Sequence, residues 1–168
     1  MKEVFIDNVL SSEGLSLLVK QAKNKHKLRI ALISSESYKD ILSKFVLTNG
    51  EFFKYHILFS TSGTATHLRS HLDLPVESVG HGPDGGDVVI SYKILRRELD
   101  VLIFFRGGHE VYPHEEDIRT LLRIANMSNC IVATNIATAS LIVSALSLLF
   151  TNETEEQKEP VTADIASR

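Results

Sequence analysis

Asp100-Val101-Leu102-Ile103-Phe104-Phe105 places five apolar residues in a row behind one acid, with no polar residue to mark a wet face. A half-buried strand would alternate apolar and polar positions, and a helix would repeat every 3.6 residues. An uninterrupted run of this length suits a strand buried on both faces of a parallel sheet.

Similar runs recur on either side of it. Residues 28–33 (Leu28-Arg29-Ile30-Ala31-Leu32-Ile33), 55–59, 76–79 after Pro75, and 130–134 read as four more strands. Between them lie stretches with helical signals: residues 36–47 with Ser35 as N-cap, 64–72, 87–99, 115–127 and 137–150. Strands alternating with helices imply an α/β domain, a doubly wound and mainly parallel five-stranded sheet with helices on both faces. Such a domain occupies residues 28–150. Residues 1–27 form a polar leader, possible as a helix through the weakly amphipathic stretch 15–22. Residues 151–168, with four glutamates and few large apolar side chains, are expected to be disordered or to lie against a neighbouring subunit.

Composition narrows the function. The chain has 168 residues, 43% of them apolar and 23% charged, as a one-domain globular protein should. A formal net charge of −3 gives no basic surplus for a nucleic-acid backbone, but a small anion needs only a few placed donors. The longest apolar stretch, residues 141–150, is too short to cross a bilayer, so no membrane partner is expected. The single cysteine, Cys130, allows no internal disulfide, and the N-terminus shows no signal-peptide pattern; both fit a reducing cytoplasm. Cys130 opens an apolar run and reads as a core residue rather than a nucleophile.

In doubly wound sheets, ligands bind outside the carboxyl ends of the strands, so the loops there carry the chemistry. Ser60-Thr61-Ser62-Gly63-Thr64 leaves a strand and opens a helix. Helix starts offer unpaired N–H groups and a positive dipole end, so Thr61, Ser62, Gly63 and Thr64 could cradle an anion; simple capping is the plainer reading. Gly82-Pro83-Asp84-Gly85-Gly86-Asp87 delivers a carboxylate to a helix start through a glycine-rich loop. Asp87 is either an N-cap or a general base. Tyr112-Pro113-His114-Glu115-Glu116-Asp117 places an imidazole after the central strand, with Asp117 near enough to orient it. Lys39 could reach a phosphate from the first helix. His67 and His71, four apart on a helix, could share an ion, but no carboxylate or cysteine completes a motif, and no metal is expected. The chain has neither GxGxxG nor a Walker lysine pattern, so dinucleotides and nucleoside triphosphates are not indicated.

Taken together, Gly82-Pro83-Asp84-Gly85-Gly86-Asp87, the run 100–105, Pro113-His114, Leu121-Leu122-Arg123 and Ala133-Thr134-Asn135-Ile136-Ala137-Thr138-Ala139 resemble the methylglyoxal synthase family, over residues 28–149. The resemblance implies a carbon–oxygen lyase that converts dihydroxyacetone phosphate to methylglyoxal and phosphate without a cofactor, as a homohexamer. By the same resemblance Asp87 matches the catalytic base, His114 the histidine near the substrate oxygens and Asp117 its neighbouring acid. Lys39, Thr61, Thr64 and Gly82 match phosphate-site positions, and His81 stands where the family has a serine. Ser35 replaces a usual histidine, Gly107 a usual second aspartate, and Ala65 the last glycine of the phosphate motif. The alternative that the resemblance carries is a phosphate- or nucleotide-binding regulatory module of the same fold with little or no catalysis.

Overall fold

The computed structural model describes the backbone of residues 27–107 and 114–156, and the side chains among these up to residue 150. The sequence readings at 1–26, 108–113 and 157–168 lie outside the described residues. By its internal contacts the described chain up to residue 143 forms one compact unit, and residues 144–156 belong to another. All of the chemistry below belongs to the first.

Five strands, β1 (Arg29–Ser34), β2 (Ile57–Ser60), β3 (Val76–Ser78), β4 (Val101–Phe105) and β5 (Ile131–Ala133), form one sheet in the order β3-β2-β1-β4-β5. Every pairing is parallel, as the unbroken apolar runs require. β4 pairs with β1 from Ile30↔Val101 to Ser34↔Phe105, and all five of its residues are buried. The helices are α1 (Lys39–Thr48), α2 (Gly50–Tyr55), α3 (Ser62–Leu72), α4 (Asp87–Leu95), α5 (Glu115–Met127) and α6 (Ile136–Glu156).

Alternate strand residues serve opposite faces. On one face Ala31, Ile33, Phe59, Leu102 and Phe104 pack with Ile90 and Ile94 of α4 and with Ile118, Leu121 and Ala125 of α5. On the other, the Phe105 ring meets Phe45 of α1 edge-on at 5.5 Å, and Phe45 meets Phe53 of α2 at 5.8 Å. A fully buried side chain of this size contributes about 1.5–3 kcal/mol. These two layers therefore hold the sheet rigid beneath its loops.

Several boundaries differ from those read in the sequence, each for a local reason. Ser35 holds an N-cap position without a side-chain cap bond: its backbone is extended, its N–H continues the sheet by donating to the Phe105 carbonyl at 3.0 Å, and its carbonyl accepts the Tyr38 N–H at 3.1 Å. A short 3₁₀ turn, Glu36–Tyr38, then leads into α1. Asn49 ends α1 by donating its side-chain amide to the Phe45 carbonyl at 2.8 Å, and α2, absent from the sequence reading, follows at once. α3 begins at Ser62, two residues earlier than expected, because Thr61 is already extended (φ −69°, ψ 153°) and serves as its N-cap position. α4 stops at Leu95 rather than running to residue 99, because Arg97 takes a left-handed φ of 57°.

The order β3-β2-β1-β4-β5 places consecutive connections on opposite sides of β1. The chain leaves β1 toward β2 and later returns to β4 on the other flank. The loops after β1 and β4 therefore diverge and leave a crevice at the carboxyl edge.

Candidate active site

A cavity of about 290 Å³ occupies that crevice. Its floor is apolar, built by Ile33, Phe104 and Ile118, all nearly inaccessible to solvent. Polar residues reach it from separate elements: Ser34, Ser35, Glu36 and Lys39 after β1, Thr61, Gly63 and Thr64 after β2, His81, Gly82 and Asp87 before and at the start of α4, and His114 before α5.

Asp87 is delivered by a tight turn, Gly82–Gly86, rather than by an open loop. Gly85 sits at φ +99°, where a side chain would be strained. A Cβ on Gly86 would lie 2.7 Å from the Gly80 carbonyl oxygen and 2.8 Å from that of His81, closer than packing allows. The two glycines thus fold the chain back on itself and set the first residue of α4 at the sheet edge.

Asp87 is only 2% exposed. Its Oδ2 has no hydrogen-bond partner among the described residues and lies 3.4 Å from His114 Nε2. Burial pushes the carboxyl above the ordinary carboxylate range, His114 pulls it back, Asp117 adds to the rise, and His81 again lowers it. A raised carboxyl is a stronger base once ionised. His114 is itself anchored by its backbone, since its carbonyl accepts the N–H groups of Asp117 at 3.1 Å and Ile118 at 3.2 Å. Gly82 opens the space beside the pair: a Cβ there would be 3.4 Å from Asp87 Oδ2 and 3.6 Å from His114 Nε2.

The opposite wall is suited to an anion. Lys39 Nζ lies over the start of α3, 3.3 Å from where a Cβ on Gly63 would be. The start of α3, the positive end of its dipole, lies on the same wall through Gly63 and Thr64. Thr64 is buried and uses its hydroxyl on β1, accepting from the Ser34 N–H and donating to the Ser34 carbonyl, each at 3.3 Å. It thereby ties the start of α3 to the end of β1. Lys39 meanwhile forms an ion pair with Glu36, whose carboxylate is highly exposed.

The structure thus brings Lys39, Thr61, Gly63, Thr64, His81, Gly82, Asp87 and His114 to one cavity. Ser62 is directed elsewhere, its hydroxyl 3.0 Å from that of Ser78 and its N–H donating to the Gly80 carbonyl at 2.8 Å. Asp117 does not line the cavity and acts on Asp87 through its charge. His81 sits at the rim, 3.4 Å from Asp84. Sequence reasoning pointed to the loop at Ser34 and Ser35 but missed Glu36 and the apolar floor. Only the sheet order, which sets β1 beside β4, brings them together.

The remaining candidates lie outside the cavity. His67 and His71 stack with ring centroids 4.2 Å apart, and the His71 ring nitrogen donates to the His67 carbonyl. Among the described residues no group of three or more histidine, cysteine or acidic side chains is placed to hold a metal ion. Cys130 is half-buried, and burial pushes its thiol up to about 12, which keeps it protonated and non-nucleophilic.

This geometry has relatives. A family model described as the MGS-like domain matches residues 48–134, half of the chain. A methylglyoxal synthase from Saccharophagus degradans is 40% identical over 140 residues, covering 83% of this chain and 90% of the relative. The chain belongs to the methylglyoxal synthase family. Another member, the methylglyoxal synthase of Proteus mirabilis, is 38% identical over 126 residues, covering 75% of this chain and 82% of that protein. A crystal structure of the methylglyoxal synthase from Elizabethkingia anophelis superposes with a TM-score of 0.68 at 31% identity, covering 71% of this chain and 78% of that one. The family match spans β2 to β5 and so includes the turn that carries Asp87.

Proposed function

We propose that the chain is a methylglyoxal synthase acting on dihydroxyacetone phosphate. The observation that carries this reading is the buried Asp87 carboxylate, 3.4 Å from the His114 imidazole, facing a cavity whose other wall holds Lys39 and the start of α3. In this reading the phosphate sits against Lys39, Thr61 and the amides of Gly63 and Thr64. Asp87 then takes the proton from the hydroxymethyl carbon, and the C–H electron pair forms the C=C bond of an enediolate. His114 donates a hydrogen bond to the carbonyl oxygen where negative charge develops. The enediolate electrons next expel phosphate by breaking its C–O bond, and the enol that remains tautomerises to methylglyoxal. Every step is proton transfer or elimination and requires no redox partner.

The apolar floor of Ile33, Phe104 and Ile118 supports the same reading, since it keeps water from hydrating Asp87 and raises its basicity. Ser35 and Gly107 lack the side chains usual in the family, so turnover is expected to be slower than that of a typical member. Purified protein with dihydroxyacetone phosphate should release methylglyoxal and phosphate in equal amounts. Phosphate binding without methylglyoxal would instead favour a regulatory module built on the same site.

A further inference from the structure

Arg106 is the first residue after β4, and Glu115 is the first residue of α5. Arg106 Nη2 donates to Glu115 Oε1 at 3.0 Å, with side chains 21% and 26% exposed. Arg119, one turn along the helix, sets its Nε 3.7 Å from the same oxygen. Neither member of the pair lines the cavity. His114, which does, is the residue immediately before Glu115, and its carbonyl accepts the N–H groups of Asp117 and Ile118 in α5. The imidazole therefore goes where the first turn of α5 goes. The core holds α5 through Ile118, Leu121 and Ala125, which all face the sheet and begin a full turn beyond His114. Among the described residues, the Arg106–Glu115 ion pair joins that first turn to the end of β4. A partly buried, well-formed Arg–carboxylate contact holds geometry better than an exposed one.

We propose that Arg106 and Glu115 are positioning residues, which hold the first turn of α5 against β4 and so set the distance between His114 and Asp87. The proposal rests on the reading of Asp87 and His114 as the reacting pair. A misplacement of about 1 Å at a reacting group can cost up to roughly 10²-fold in rate. Arg106→Gln and Glu115→Gln should each lower kcat about 10-fold while KM changes less than about 2-fold, and the double variant should lose no more than either single one. Arg106→Lys, which keeps the charge, should recover part of the loss.

The deciding readout is the titration of the Asp87 carboxyl, followed by carbon NMR in the full chain. Nearby His114 lowers that carboxyl, so a retreating imidazole should let it rise. Removing the negative charge of Glu115 has the opposite electrostatic effect and should lower it. A rise in Glu115→Gln therefore reports lost positioning, and an unchanged or lowered midpoint overturns the proposal. This measurement needs no turnover. If the parent makes no methylglyoxal, the synthase reading fails by itself, and the sign of the Asp87 shift still decides the role of the ion pair. Should Glu115→Gln fail to fold, Glu115→Asp, which shortens the reach but keeps the charge, should also raise the midpoint; no rise there overturns the proposal too.

Discussion

The two edges of the same sheet handle buried polar groups in opposite ways. At the amino edge Asp100 accepts from the Arg29 N–H at 2.9 Å and from its guanidinium at 3.3 Å, while the Asp100 N–H donates to the Arg29 carbonyl. His56, almost fully buried, accepts the Leu28 N–H on Nδ1 at 3.1 Å. Arg69 donates Nε to the Val76 carbonyl at 2.9 Å. An open depression of about 790 Å³ lies there, larger than the cavity at the other edge, yet its His56 and Arg69 are engaged with backbone. At the carboxyl edge the buried Asp87 Oδ2 lacks a hydrogen-bond partner among the described residues and faces an imidazole. Cavity size does not separate the two edges. What separates them is the carboxylate: Asp100 is committed to the fold, whereas Asp87 Oδ2 is held back from it.

The largest effect expected from this contrast is a double dissociation between two aspartates. A general base contributes about 10²–10⁴-fold, so Asp87→Asn should cut turnover by at least the lower figure. It should not destabilise the protein. Because burial raises the Asp87 carboxyl, its favourable contribution is present at acid pH and is lost as pH rises through its titration. Asn removes that penalty, so Tm at pH 8 should hold or rise. Asp100→Asn should behave in reverse, with turnover nearly intact and stability lower by about 1.5–3 kcal/mol from the lost charged hydrogen bonds. For a chain of this size 1 kcal/mol moves Tm by about 2–4 °C. Rate assays beside thermal melts check both, and equal loss of activity in the two variants would erase the distinction.

Much of this was legible in the sequence, for physical reasons. Val101-Leu102-Ile103-Phe104-Phe105 could satisfy its burial only inside a parallel sheet, and from there the rule on carboxyl ends located the site. Asp87 and His114 stood out because each follows a glycine- or proline-bearing segment at a helix start. Glu36 did not, because its importance comes from Lys39 and from the strand order, which no local pattern encodes. Ser62 misled for the opposite reason: a hydroxyl at a helix start reads as an anion donor, but Ser78 at the end of β3 engages that hydroxyl and the Gly80 carbonyl accepts the Ser62 N–H. The end of α4 was unreadable too, since a left-handed Arg97 carries no compositional signal.

A test on pH sharpens the amino edge. Burial, with repulsion from Lys27 and partial compensation by Asp100, pushes His56 down to about 4 from its ordinary 6.5. The folded protein therefore keeps His56 neutral where the unfolded chain protonates it. Stability from this group is complete above pH 6.5 and is lost as pH falls toward 4. The loss should be about 1–3 kcal/mol over that window. His56→Gln, whose side-chain oxygen can still accept the Leu28 N–H, should flatten the acid slope of Tm between those limits. If parent and variant lose Tm in parallel, His56 does not carry the acid sensitivity of this edge.

The smallest effect expected lies within the active cavity, at Glu36. Its carboxylate pairs with Lys39 Nζ and is highly exposed, whereas the lysine is mostly covered. On the proposed reading an incoming phosphate displaces that carboxylate, so Glu36 competes with the ligand rather than supporting it. The competition is weak, because an exposed ion pair is worth only about 0.2–1 kcal/mol in water. Glu36→Gln should therefore tighten the binding of inorganic phosphate by about 1.4–5-fold, the same free energy expressed as a ratio. Salt should narrow the difference between parent and variant, since it screens the pair that the substitution removes. Lys39→Ala in either background should weaken phosphate and abolish the gain, because the glutamine then frees nothing. Calorimetric titration of phosphate into the four proteins closes the cycle. Tighter binding that persists without Lys39 would mean that Glu36 repels the anion directly, and the carboxyl edge would then hold back one group fewer than its geometry suggests.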